Sequence, residues 1–146
     1  MKKALFRFYE LSAANVYEIL RIRNEIFVLE QRSIYNDTDG WDYQALHYTY
    51  TLDDRLIAYS RILPPGTVYS QASIGRVCVR QDMRNRGLGR SLFTESLTIL
   101  ESVYGRRPVK IQAQLYLQSF YQSFGFEKIT DPYDDCGILH VDMIRH

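Results

Sequence analysis

Ile74-Gly75-Arg76-Val77-Cys78-Val79-Arg80-Gln81-Asp82-Met83-Arg84-Asn85-Arg86-Gly87-Leu88-Gly89-Arg90-Ser91-Leu92 places a β-branched strand, a short polar turn and a glycine-bearing loop directly before a long helical pattern. The first amides of a helix have no intrahelical partner and sit at the positive end of its dipole. Glycines there let a phosphate approach the backbone. The stretch therefore predicts an anion cradle with glycines at 87 and 89, and the residues around it decide which anion.

Two common phosphate loops fail on spacing. A Walker-type loop needs Lys and Ser/Thr directly after its last glycine, but Gly89 is followed by Arg90 and Ser91. A dinucleotide fingerprint needs a third small residue where this chain has Leu92, and an acidic residue closing the next strand where it has Gln114. What does match is Arg84-Asn85-Arg86-Gly87-Leu88-Gly89, which resembles the R/Q-x-x-G-x-G/A signature of the GNAT acetyltransferases. Further on, Phe120-Tyr121-Gln122-Ser123-Phe124-Gly125-Phe126 is similar to the LY-x-x-x-GF end of that family's fourth helix. The order is the family's, with one long helix and one strand between the two motifs.

The likeness extends to the ElaA-like branch through Leu20-Arg21-Ile22-Arg23-Asn24-Glu25-Ile26-Phe27-Val28-Leu29-Glu30-Gln31, then Tyr35, Asp37, Asp39, Asp42 and His47, and Gly137-Ile138-Leu139-His140. The resemblance implies an α/β fold, a mixed sheet splayed open between its fourth and fifth strands. Acetyl-CoA would be the co-substrate, entering the splay with its pantetheine on backbone groups of Val77-Cys78-Val79 and its pyrophosphate on amides from Arg84 through Asn85, Arg86, Gly87, Leu88 and Gly89 to Arg90. Many members carry an Asn seven residues before the motif Tyr. Here Gln114 keeps the amide on a stem one methylene longer.

Composition sets the outer bounds. At 146 residues the chain suits a single domain, 1–146, and is too short for two ordinary ones. No apolar run approaches a membrane span, and Arg7 and Glu10 interrupt the opening apolar segment before it could serve as a secretory signal. A net charge of +1 supplies no general field for nucleic acid, whereas Arg80, Arg84, Arg86 and Arg90 gather round one loop and suit one anionic ligand. Two cysteines without a signal point to a reducing cytoplasm, with Cys78 a small buried hydrophobe. The three histidines, His47, His140 and His146, lack ligand spacing, so no metal site is expected. The oligomeric state stays open, a homodimer included.

In chain order the patterns predict an edge strand over 4–9, then a helix capped by Asn15 and running to about Gln31. An acidic loop follows from Tyr35 to Asp42, then an antiparallel hairpin over 47–52 and 55–63. The key strand lies near 73–80, a helix spans 87–104, a buried-type strand Val109 to Gln114, and a short helix 116–124. Residues 126–130 and 138–144 form a closing pair.

Acyl transfer from a thioester to an amine needs a neutral nucleophile, a stabilised oxyanion and help for the thiolate. The resemblance, which puts the motif Tyr beside the thioester sulfur, implies Tyr121 for the third, although a Tyr between Phe120 and Phe124 is also what an ordinary core helix carries. A tyrosine pKa near 10 lies about 1.5 units above a reference thiol, so complete proton transfer to sulfur is uphill by roughly 2 kcal/mol, and a hydrogen bond serves as well as donation. For the base, Glu30, His47 and His140 qualify by type. For the acceptor, Tyr35, Asp37 and Asp39 with Trp41 could receive an ammonium group, or simply turn the chain. The acceptor itself is a small-molecule or peptide amine, and the alternative function is a CoA-binding sensor or subunit without catalysis.

Overall fold

The computed structural model describes residues 1–146. Strands β1 (Lys2–Arg7), β2 (Leu46–Leu52), β3 (Arg55–Leu63) and β4 (Ser73–Val79) form an antiparallel sheet in that order. A second sheet holds β5 (Val109–Gln114), β8 (Ile138–Arg145) and the short β6 (Glu127–Lys128), with β7 (Tyr133–Asp135) also pairing with β8. Strand β7 was absent from the sequence expectation; it is three residues long, too short to show any period.

The sheets meet at one parallel bridge, Ala72 to Val109, closed by Lys110 N–H donating to the Ala72 carbonyl at 3.0 Å. Beyond that point β4 and β5 diverge. The splay is therefore observed between the fourth and fifth strands, and the sheet is mixed only through this bridge. A bulge contributes as well: the β3–β4 register slips between Tyr59 and Arg61, and Arg76 opposite takes φ +52°. An extra residue there bends the strand and frees part of its backbone from the ladder.

Helix α2 (Leu88–Tyr104) presents Leu92, Phe93, Leu97 and Leu100 to the larger core, as its 3.6-residue period requires. Helix α3 (Gln118–Gln122) packs on the same side. Helix α1 (Ala13–Arg23) covers a separate cluster of Ile19, Ile22, Ile26, Leu56, Tyr59 and Cys78. Strand β3 lies between the two clusters and is buried at every residue from Leu56 to Leu63.

Two expectations about α1 are corrected. Its N-cap is Ser12, whose Oγ accepts from Asn15 N–H while Asn15 Oδ1 accepts from Ser12 N–H, both at 3.0 Å; Asn15 is the third helical residue of a capping box. The helix also changes form at Asn24, continuing as a π-helical turn through Glu30 with Gln31 N–H bonding back to Ile26. The wider turn brings Ile26, Phe27, Glu30 and Gln31 to one surface, which faces the splay.

Candidate active site

The splay encloses a cleft of about 580 Å³. Its walls are β4 from Ile74 to Val79, the cradle residues Arg84, Asn85, Gly87, Leu88 and Gly89, the β5 residues Ile111, Gln112 and Gln114, and Tyr121 with Phe120. Glu30, Tyr35 and His140 also line it.

At the cradle end, Gly87 is the N-cap of α2 at φ +77° and no side chain caps the helix. The first turn holds no acidic residue, and a Cβ built on Gly87 or Gly89 would meet nothing within 4 Å. Four backbone donors are thus left to solvent or a ligand, with open space beside them. The positive φ belongs to Gly87; Gly89 is helical, and its backbone makes no demand for glycine.

The four arginines do not act as a group. Arg80 pairs with Glu25 and bonds the Leu56 carbonyl. Arg84 bonds the Val79 carbonyl and pairs with Glu30 at 2.9 Å. Arg90 lies over Phe120 and Phe124, 5.2 and 5.0 Å from the ring centroids, joining the two sequence motifs physically. Neither Arg86 nor Arg90 lines the cleft, which corrects the picture of four cations converging on one ligand; of the four, Arg84 alone lines it.

Tyr121 is both a core residue and a cleft residue. Its ring sits 5.0 Å from Phe93, which Phe120, Phe124 and Phe126 also surround. Burial pushes its phenol well above the usual range, so it stays protonated as a donor. Cys78 is buried and its thiol is pushed up to about 12, which fits a hydrophobe and not a nucleophile. Gln114 lines the cleft as expected, but its amide exchanges hydrogen bonds with Gln31, at 3.0 and 3.4 Å. Ser33 Oγ donates to the Cys136 carbonyl at 2.9 Å, so two polar bridges cross from the first sheet's side to the second.

The acidic segment is corrected most. Arg23 is fully buried and pairs with Asp37 at 2.8 Å and Asp42 at 2.6 Å; Arg61 pairs with Asp39 at 2.7 Å; Arg76 pairs with Asp37 at 2.9 Å. Three carboxylates are balanced by three guanidinium groups. Neither Asp37 nor Asp39 lines the cleft, whereas Tyr35 does, its hydroxyl donating to Asp37 and its ring under Arg76. The aspartates fasten the loop and leave no charge for a ligand. Sequence reasoning missed this because Arg23 and Arg61 lie in apolar patterns, where nothing local announces a buried pair.

The base candidates separate too. His47 is buried outside the cleft with Nδ1 on Tyr59 Oη and Nε2 on the Asp42 carbonyl, and burial lowers its pKa. Both nitrogens are used, so it is structural. Glu30 is held by Arg84. His140 remains, its Nδ1 on the Ile138 carbonyl at 2.7 Å. No cluster of His, Cys, Asp or Glu could hold a metal.

A sheet splayed beside an uncapped glycine-bearing helix start is the fold this chain shares with acyl-CoA N-acyltransferases. Residues 24–146 match the family model of the acetyltransferase (GNAT) domain. The chain belongs to the GNAT acetyltransferase family and is ElaA-like. Protein ElaA of Escherichia coli strain K12 is 38% identical over 138 residues, 93% of this chain and 90% of that protein. A UPF0039 protein of Synechocystis is 40% identical over 139 residues, 94% of this chain and 90% of the relative. The crystal structure of an acyl-CoA N-acyltransferase from Pseudomonas aeruginosa superposes with a TM-score of 0.93 at 32% identity, covering 100% of both chains. The protein is an acyltransferase that works with acyl-CoA.

Proposed function

We propose that this chain, acting as one domain in the cytoplasm, transfers an acetyl group from acetyl-CoA directly to an amine. The observation that carries the reading is that the uncapped start of α2, with Gly87 and Gly89, opens onto the same cleft as Tyr121. The cradle amides would hold the pyrophosphate, the bulged β4 backbone around Val77 would hold the pantetheine, and Gln114 would contact its arm. Acetyl-CoA supplies the activated acyl group; the chain supplies alignment and charge stabilisation.

In this reading Tyr121 donates a hydrogen bond to the departing sulfur. Its raised pKa makes complete proton transfer to an ordinary thiolate more uphill than the roughly 2 kcal/mol of an unperturbed tyrosine, so the proton stays on oxygen. The test is thiol release from acetyl-CoA across a panel of amines and peptides, alongside calorimetry with coenzyme A. Binding at about micromolar Kd, roughly −8 kcal/mol, with turnover of at least one amine is expected. Binding without turnover of any amine would refute the transferase reading of this cleft, and absence of binding would refute the cradle.

A further inference from the structure

The second sheet turns a largely polar face toward the cleft, with Gln112, Gln114, Asp135, Ile138 and His140 lining it. Alternation along the strands places Gln112 and Gln114 of β5, His140 and Asp142 of β8, and Tyr133 and Asp135 of β7 on one side, while Ile111, Ala113, Val141 and Met143 face the core. Two groups on that polar face are unspent. His140 keeps Nδ1 on the Ile138 carbonyl, which can only accept, so Nδ1 carries the proton and the Nε2 lone pair is available. The Tyr133 ring lies alongside, with centroids 6.3 Å apart.

The second group is Asp135. Its Oδ2 accepts from Gln112 Nε2 at 2.8 Å, and no lysine or arginine pairs with it; Lys110, on the same face, reaches toward Asp142 at 3.8 Å. The other charged groups lining the cleft are already balanced, Glu30 by Arg84 and Arg76 by Asp37. One carboxylate is therefore in surplus, and no cation is. Such a chamber favours a substrate with positive charge and disfavours one with a carboxylate.

Resting on the acetyltransferase reading, we propose that the acceptor is a primary amine bearing a second positive charge, with Asp135 receiving that charge and His140 Nε2 acting as the base for the reacting nitrogen. The ammonium gives one proton to Nε2, which releases it to solvent. The freed lone pair forms the N–C bond, the C–S bond breaks with its electrons on sulfur, and the second nitrogen proton neutralises the thiolate. Amide, coenzyme A thiol and one proton result. The titratable and charged groups around His140 are Tyr133 and Asp135 of β7, Asp142 on its own strand, and Tyr35, Arg76 and Glu30 across the cleft.

The test compares three chains of similar length, cadaverine, n-pentylamine and 5-aminovalerate, with the full-length wild type, Asp135→Asn, His140→Gln and His140→Asn. Wild type should prefer cadaverine to n-pentylamine by about tenfold in kcat/KM, and 5-aminovalerate should be the poorest. Asp135→Asn should erase that preference through KM. Both His140 variants should lose about 10²-fold in kcat, and with it the acid limb of the kcat/KM profile, which a merely structural histidine would not control. Coenzyme A affinity should hold in all variants, confirming intact clefts. A preference for 5-aminovalerate, a retained preference in Asp135→Asn, or an unchanged acid limb overturns the proposal. If wild type turns over none of the three, NMR decides separately. The His140 ring signal of the coenzyme A complex, identified by its loss in His140→Gln, should shift with cadaverine and not with 5-aminovalerate. No shift with cadaverine overturns the inference on its own, whatever becomes of the transferase reading.

Discussion

Gly89→Val should leave the protein about as stable and make it less able to bind coenzyme A. Gly89 is the second residue of α2 with helical backbone, and an added Cβ would meet nothing within 4 Å of the chain. Gly and Val differ by only about 0.3 kcal/mol in helix preference, so Tm should move by no more than about 1 °C at this length. The branched side chain, bulkier than the Gly or Ala of the family signature, projects where a phosphate must approach the amides, so affinity should fall at least tenfold, about 1.4 kcal/mol. Gly87→Ala gives the internal contrast. With φ at +77° and equally open space, its cost is conformational, about 1–2 kcal/mol, and Tm should drop by several degrees. Thermal melts without ligand and calorimetry with coenzyme A measure the two quantities independently. A Gly89→Val protein that binds coenzyme A as tightly as wild type would refute the argument, because the phosphate would then lie elsewhere.

Tyr121→Phe should lower kcat by about 10²-fold with little change in the acetyl-CoA KM, since the ring keeps its place on Phe93 and only the hydroxyl is lost; steady-state kinetics equal to wild type would make Tyr121 purely a core residue. Arg23→Met leaves Asp37 and Asp42 largely buried and short of a cation, and urea denaturation should show a loss of about 3–5 kcal/mol; a loss under 1 kcal/mol would deny the cluster its structural role. Burial alone would raise the Asp39 carboxyl, but hydrogen bonds and charge from Arg61 override it and hold the group at about 2. Its stabilising contribution is therefore present above the unfolded value near 4 and is lost as pH falls from about 4 to 2, so wild type should weaken across that window in chemical denaturation and Asp39→Asn should show a shallower slope.

The elements with strong local signals stood in the sequence almost to the residue. Helix α2 has a glycine start, a 3.6-residue apolar stripe and Gly105 as its stop; β2 and β3 flank Asp53-Asp54; and the two GNAT motifs are short-range patterns around fixed backbone shapes. Each of these is decided by neighbours within a few positions, which is the range over which propensity, capping and turn chemistry act.

The polar wall of the cleft was not legible in that way. The glycines at the start of α2 and Tyr121 were singled out because they match motifs of set spacing, but Gln31 meets Gln114, Ser33 meets Cys136, and Arg61 meets Asp39 across long stretches of chain. Asp37 and Asp39 stood out by local composition and prove to be neutralised. Asp135 and Gln112 did not stand out, and they line the cleft. Sequence alone determined the family, the order of the longer strands and helices and the glycine-bearing loop, because those depend on local backbone preference and apolar period. Only the tertiary structure decided which charges are already paired and which face the cleft, because a carboxylate's availability depends on what burial and folding bring within about 4 Å of it, and no spacing along the chain encodes that distance.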